Sequence, residues 1–252
     1  MSPPTAPLTI ITGSSRGMGA AMALQCLREG HQVIGIARHA SDELAATDTA
    51  GRLSQWQADL ADASEVAQRL HDLLQGRDEP GCSALNLINN AGVLAPLQPL
   101  ERIAFTDTTR ALRVGLEAAM LLTTAMLGAT RHWAVSRRVL NISSGLGRRA
   151  MAGSASYCAA KAGMDHFSRA VALEQAALPN GARIVSLAPG VIATDMQVQL
   201  RGADPTLFPN REDFVQLQAL GQLLSPADAA ARVLAWLVRP DFGALPVADV
   251  RD

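Results

Sequence analysis

The stretch Leu8-Thr-Ile-Ile-Thr12-Gly13-Ser-Ser15-Arg16-Gly17-Met18-Gly19 decides the fold. Leu8–Ile11 is a short apolar run with the character of a buried strand. Glycines at 13, 17 and 19 follow at once, and Ala20 to Arg28 then carries a helical pattern. In a strand, glycine-rich turn and helix, the N–H groups at the helix N-terminus face an anion such as a pyrophosphate. The spacing here is GxxxGxG, not the GxGxxG of longer dinucleotide-binding units.

Outward from this turn, His31–Ala37 reads as a second strand closed by Arg38. An acid at that point suits an adenosine ribose, and a base suits a 2′-phosphate. Arg38 stands there, Arg16 lies in the turn, and after the strand no acid appears until Asp42. NADP is therefore expected over NAD. Leu53–Ala58 is a third strand leading to Asp59-Leu60. Asp59 either takes an adenine amino group or caps a helix starting near Ala61, and the two roles can coexist. Leu85–Ile88 is a fourth strand, ending in Asn89-Asn90-Ala91-Gly92, which ties the sheet edge to the cofactor or makes a turn.

Asp107–Trp133 is a long helical stretch, apolar throughout, with more face than a crossover requires. Arg138–Ile142 is a fifth strand leading to Ser143-Ser144, and Tyr157–Ala177 is a second long helix. Arg183–Leu187 is a sixth strand, ending in Pro189-Gly190-Val-Ile192-Ala-Thr194. Residues 196–223 have weak periodicity and two prolines, and read as a mobile substrate lid. Ser225-Pro226 caps a last helix to Val238, and Pro246–Val250 is a short edge strand. Strands alternating with helices give an α/β fold: one Rossmann-like domain over 1–252, a doubly wound parallel sheet with helices on both faces. Residues 1–7 are expected to be a flexible N-terminus.

Tyr157 is the only tyrosine, and Lys161 is the single lysine among 22 basic residues. Four residues apart on a helix, they share a face. A phenol titrates near ~10 and is a poor acid–base catalyst at neutral pH unless shifted. A fixed ammonium beside it is expected to favour the phenolate. Ser144, after its strand, is placed to donate to a substrate oxygen.

Composition excludes several classes. The hydrophobic share is 48%, the charged share 18% and the net charge −1, with no basic tract. Nucleic-acid binding is not expected. Cys26, Cys82 and Cys158 are an odd number at scattered spacings, as in reduced thiols of a cytoplasmic protein, not a disulfide frame or a metal site. No secretory signal is visible, and no stretch is read as the ~18 apolar residues of a membrane span.

Five motifs in order, Thr12-Gly13-x-x-x-Gly17-x-Gly19, Asn89-Asn90-Ala91-Gly92, Ser144, Tyr157-x-x-x-Lys161 and Pro189-Gly190-x-x-x-Thr194, resemble those of the short-chain dehydrogenase/reductase family. The resemblance covers nearly the whole chain and implies about seven strands and an NAD(P)-dependent carbonyl or alcohol reaction. It also implies Tyr157 as acid/base, Lys161 on the nicotinamide ribose and the phenolate, and Ser144 on the substrate oxygen. Asn90, Ile192 and Thr194 would line the cofactor, with Ser15, Met18, Leu60, Ala91, Gly92, Pro189 and Gly190 around it. Within the family, Asn141-Ile-Ser-Ser144, Tyr157-Cys158, Leu173-Glu174 and Thr194-Asp-Met-Gln197 look most like sepiapterin reductase and bacterial benzil reductases. The ending Asp249-Val-Arg-Asp252 resembles the region where an aspartate holds the pterin. One departure stands out: the helix position where the family has a catalytic Asn, which holds a water for proton relay, is Gly115.

The expected function is NADPH-dependent reduction of a small carbonyl compound, with Leu146, Met151, Met196 and Phe208 as an apolar substrate pocket. A homodimer or homotetramer is expected through the two long helices. The alternatives are an NADP-binding regulator, which Gly115 suggests, and a reductase of acyl-carrier-bound substrates docking at Arg148-Arg149.

Overall fold

A computed structural model of the protein describes residues 6–77 and 81–252. Seven parallel strands form one sheet in the order β3-β2-β1-β4-β5-β6-β7. They are β1 Leu8–Thr12, β2 Gln32–Ala37, β3 Leu53–Gln57, β4 Ala84–Asn89, β5 Ser136–Ile142, β6 Arg183–Ala188 and β7 Val247–Asp249. All five residues of β1 are buried, because the strand is paired on both edges and covered on both faces. β3, at the sheet edge, buries only Trp56. The Pro246–Val250 expectation holds as β7, which pairs parallel with β6.

One face of the sheet is covered by α3 (Ser64–Gln75), α4 (Phe105–Leu112), α5 (Ala118–Ala129) and α6 (Ala155–Ala176), the other by α1 (Gly17–Arg28) and α9 (Pro226–Leu237). A short α2 (Asp42–Thr47) follows β2 and packs on α1. The order of strands reverses between β1 and β4. A crevice opens at such a point beyond the C-terminal strand ends, and ligands of open α/β sheets bind there.

Three sequence expectations change. The long helix is Phe105–Ala129, and its middle, Arg113–Glu117, is a π-helical turn. Contrary to the reading that no stretch could span a membrane, this rod is long and apolar enough, at mean hydropathy 1.3, by length and composition. Half of that apolar window is buried in the protein, and α5 packs against α3 and β4. The helix expected near Ala61 starts at Ser64. The lid contains two helices, α7 (Asp195–Gly202) and α8 (Arg211–Ala219). Their periodicity is weak because α7 buries only Gln197 and Leu200, and α8 buries nothing. Of segment 1–7, residues 1–5 lie outside the described residues. The carbonyls of Ala6 and Pro7 accept N–H bonds from Ser83 and Gln32.

Candidate functional site

The turn after β1 is built by exclusion of side chains. Gly13 and Gly17 adopt φ of +67° and +57°, a region that L-residues with side chains rarely occupy. A Cβ on Gly19 would lie 2.1 Å from the Gly13 carbonyl oxygen. Arg16, the N-cap of α1, makes no side-chain cap bond, so the first N–H groups of α1 are left open to a ligand. These features suit a pyrophosphate, and the turn could hold one.

Thr12 and Asn90 brace this turn. The Thr12 hydroxyl accepts the N–H bonds of Asn90 and Ala91 at 2.9 and 3.0 Å. The Asn90 amide donates to the carbonyls of Thr12 (2.9 Å) and Gly13 (3.4 Å). The Asn-Asn-Ala-Gly segment thus stitches β4 to β1. Thr12 is buried and does not line the cleft, so its part is positional, a correction to its expected contact role. Gly92 lies beside Lys161, and a Cβ there would stand 3.7 Å from Nζ, an ordinary van der Waals contact.

The cleft has a volume of about 550 Å³. Its nucleotide end is lined by Gly13, Ser15, Arg16, Gly17, Met18, Gly19, Arg38, Asp59, Leu60, Asn90, Ala91 and Gly92, and its centre by Ser144, Tyr157, Lys161, Pro189, Gly190, Ile192 and Thr194. Leu146, Met151, Met196 and Asp249 line the remainder. Phe208 does not. It is fully buried beneath Gly153 and stacks on Phe214, ring centroids 5.9 Å apart, and Phe214 is the ring that lines the cleft. Sequence reasoning did not assign Val93, Leu94, Arg110, Gln197, Leu200 and Arg251 to this wall, and gave Arg149, which also lines it, a docking role instead. Val93 and Leu94 directly follow the Asn-Asn-Ala-Gly segment and were findable. The lid residues carry no motif.

Several charges at the rim are already paired. Arg110 grips both oxygens of Asp59 at 3.0 and 3.2 Å, and Asp59 also accepts the Ala61 N–H at 3.0 Å. That N–H bond, then Arg110 and Arg38, hold the Asp59 carboxyl below the usual range. Asp59 therefore caps a turn before α3, not the helix itself. Arg16 Nη1 reaches Asp195 Oδ2 across the mouth at 2.5 Å. Asp249 is clamped by Arg251 through two bonds of 2.7 Å. Its carboxylate therefore faces the cleft with a partner in place.

At the centre, Lys161 is buried and donates from Nζ to the Ile142 carbonyl at 2.6 Å. It lies 5.6 Å from the Tyr157 ring centroid. Burial pulls its pKa down to about 8, opposed by Asp165. Burial pushes the Tyr157 phenol up to about 12, opposed by a hydrogen bond with Ser144. Burial thus acts against the phenolate that Lys161 is expected to favour, and a phenol at its ordinary value or above carries its proton at neutral pH. The Ser144 hydroxyl oxygen accepts the Leu146 N–H at 3.1 Å, which leaves its own O–H to donate.

Gly115 sits in the π-helical turn, and a Cβ there would meet the Ala160 Cβ at 3.2 Å. Ala160 directly precedes Lys161, so a glycine lets the turn pack closely on α6. The missing side chain has a packing reason.

The model of the short chain dehydrogenase family matches residues 7–204. The chain is 35% identical over 237 residues to benzil reductase ((S)-benzoin forming) of Bacillus cereus, covering 92% of this chain and 94% of that one. It is 30% identical over 205 residues to an NADPH-dependent pterin aldehyde reductase of Arabidopsis thaliana, covering 79% and 80%. A crystal structure of a short-chain dehydrogenase/reductase from Burkholderia vietnamiensis superposes with a TM-score of 0.67 at 34% identity, covering 98% of each chain. With the sheet, the glycine turn and the Ser–Tyr–Lys centre in place, the chain belongs to the short-chain dehydrogenase family, nicotinamide-dependent oxidoreductases acting on C=O and CH–OH groups.

Proposed function

We propose that the protein is an NADPH-dependent reductase of a small carbonyl compound such as a diketone or a side-chain ketone. The observation that carries this reading is geometric: Tyr157, Ser144 and the buried Lys161 converge on one cleft with the glycine turn. A phenol held in its acid form is suited to giving a proton, which is what reduction of a carbonyl requires. NADPH supplies the hydride when bound. The Ser144 O–H orients the substrate oxygen and Tyr157 protonates it as charge develops. Lys161 favours the phenolate left behind and holds the nicotinamide ribose. The glycine turn and the open N–H groups of α1 hold the pyrophosphate.

Arg38 and Arg16 line the cleft and suit a 2′-phosphate there, and no acid lies between Arg38 and Asp42. NADPH is expected to bind at least ~10-fold tighter than NADH, the worth of one charge-assisted bond at ~1.4 kcal/mol. Titration of both cofactors by fluorescence tests this, and equal dissociation constants would sink it. The test of the activity is NADPH oxidation over diketones, pterin aldehydes, quinones and acyl thioesters. Turnover of small diketones supports the reading, whereas tight NADPH binding with no turnover across the panel favours the regulator. The acyl-carrier reading loses ground because Arg148 is tied to Asp165 and Ala248, leaving Arg149 alone for docking.

Exposed Phe105, Met120 and Leu173 on α4, α5 and α6 support pairing of two copies through these helices. A monomer by sedimentation at micromolar concentration would refute that. Cys26, Cys82 and Cys158 form no disulfide among the described residues, which suits the reducing cytoplasm.

A further inference from the structure

Asp165 is a carboxylate that the proposed chemistry does not use, and it is almost wholly buried. It lies one helical turn beyond Lys161 on the buried face of α6, with Ala160, Met164 and Ser168. A buried charge needs partners or it destabilises the fold. Its Oδ1 has two: the hydroxyls of Ser143 at 2.6 Å and Ser186 at 2.7 Å donate to it. Its Oδ2 has no hydrogen bond among the described residues. That oxygen lies 3.4 Å from Arg148 Nε, close enough for an ion pair but outside hydrogen-bond geometry. It is also where a Cβ on Gly147 would intrude, at 2.8 Å, so the glycine keeps the space around it clear.

Arg148 is shared. Its Nη2 donates to the Ala248 carbonyl at 2.7 Å, and its Nη1 lies 3.9 Å from Asp249, which is itself clamped by Arg251. Charges therefore alternate from the centre of the cleft to the C-terminal tail: Lys161, Asp165, Arg148, Asp249, Arg251. The groups facing this chain come from several elements. Tyr157 lies on α6, Ser143 and Arg148 follow β5, Ser186 is on β6, and Asp249 ends β7. The π-helical turn packed on α6 presents Gly115 to Ala160 and brings no charge there. Lys161 Nζ bonds to the Ile142 carbonyl and Asp165 Oδ1 to the hydroxyl of the next residue, Ser143, so the two opposite charges are anchored side by side at the end of β5.

We infer that Asp165 is a positioning residue that keeps Lys161 an ammonium ion in a site otherwise too dry for one, and that Arg148 sets how much of that negative charge Lys161 feels. The C-terminal tail, tied to Arg148, is thereby coupled to the catalytic centre. The inference rests on the reading of Lys161 as a working group, but its test needs no substrate.

Lys161 is the only lysine in the chain, so protein grown on ¹³C-lysine reports one lysine side chain. Its carbon shifts, followed against pH by NMR, titrate the ammonium directly. The wild-type midpoint is expected near 8. Asp165→Asn keeps an acceptor for both serines but removes the charge, and should lower the midpoint by about one unit or more. Arg148→Gln removes a competing cation and should raise it. A residue that only holds the fold would not move the midpoint in opposite directions. Unchanged midpoints in both variants, or a rise in Asp165→Asn, would overturn the proposal. If Asp165→Asn does not fold, Arg148→Gln decides alone: a rise sustains the proposal and no change overturns it. Failure of the carbonyl panel with these shifts intact would count against the reductase reading and not against this one.

Discussion

The two ends of the cleft are built differently. At the nucleotide end the parts are spent on one another. Thr12 and Asn90 bond the backbone of each other's turns, the Gly13 N–H donates to the Ile36 carbonyl, and Gly19 has no room for a methyl group. The lid end is loosely founded. The excursion from Thr194 to Leu223 is closed at its base by a bridge between Ile192 and Leu224 and anchored by Phe208, while α8 buries no residue. Rigid backbone fixes a ligand part that never varies, the pyrophosphate. A mobile or replaceable cover suits the part that differs between substrates. On the proposed reading, specificity would belong to the lid side, with the chemistry at the seam.

The largest expected effect is at that seam. Tyr157→Phe removes the proton donor but keeps the ring, so neither end of the cleft is disturbed. Carbonyl reduction should fall by at least ~100-fold, the lower range for general acid catalysis, with NADPH affinity within about two-fold. Stopped-flow rates and a cofactor titration check it. A variant that keeps a tenth of its rate would place the proton elsewhere.

Next in size is one chemical change made at both ends. Gly19→Ala forces a methyl group into the Gly13 carbonyl and should cost about 1–3 kcal/mol of stability together with nucleotide affinity. Gly202→Ala, at the end of α7, meets nothing within 4 Å and should leave the melting temperature unchanged or slightly raised. If thermal unfolding shows equal effects, the contrast between rigid floor and loose lid is wrong.

The same contrast explains what could be read from the sequence. The floor was legible because its backbone demands residues that nothing else can replace, glycines at 13, 17 and 19 and the Asn-Asn-Ala-Gly segment. The strands were legible to within two residues at each end because they are short apolar runs. The lid was not, since helices that bury almost nothing leave no apolar stripe, and Phe208 was assigned to the pocket when it packs beneath Gly153. The state of Tyr157 was also out of reach. It depends on how far burial raises the phenol against its hydrogen bond with Ser144, a matter of three-dimensional distances. Asp165 was passed over because a carboxylate on a helix gives no sign of being buried.

The smallest effect probes an ionic contact that joins floor to lid, Arg16 with Asp195. Both side chains are well exposed, so the pair itself contributes about 0.2–1 kcal/mol or less to stability. Its weight lies in what it competes with. Arg16 cannot hold Asp195 and give its full charge to a 2′-phosphate at once. Asp195→Asn releases it, so NADPH should bind about three-fold tighter while NADH, lacking the phosphate, is unaffected. The difference should shrink as salt is raised, because exposed charges are screened within about 10 Å at 0.1 M. A clasp that instead stays shut over bound nucleotide would show the opposite pattern, with both cofactors weakened equally by the same substitution. Parallel titrations of the two cofactors at low and high salt separate these outcomes. Equal weakening would mean that the lid end contributes to cofactor binding and that the two ends are not independent.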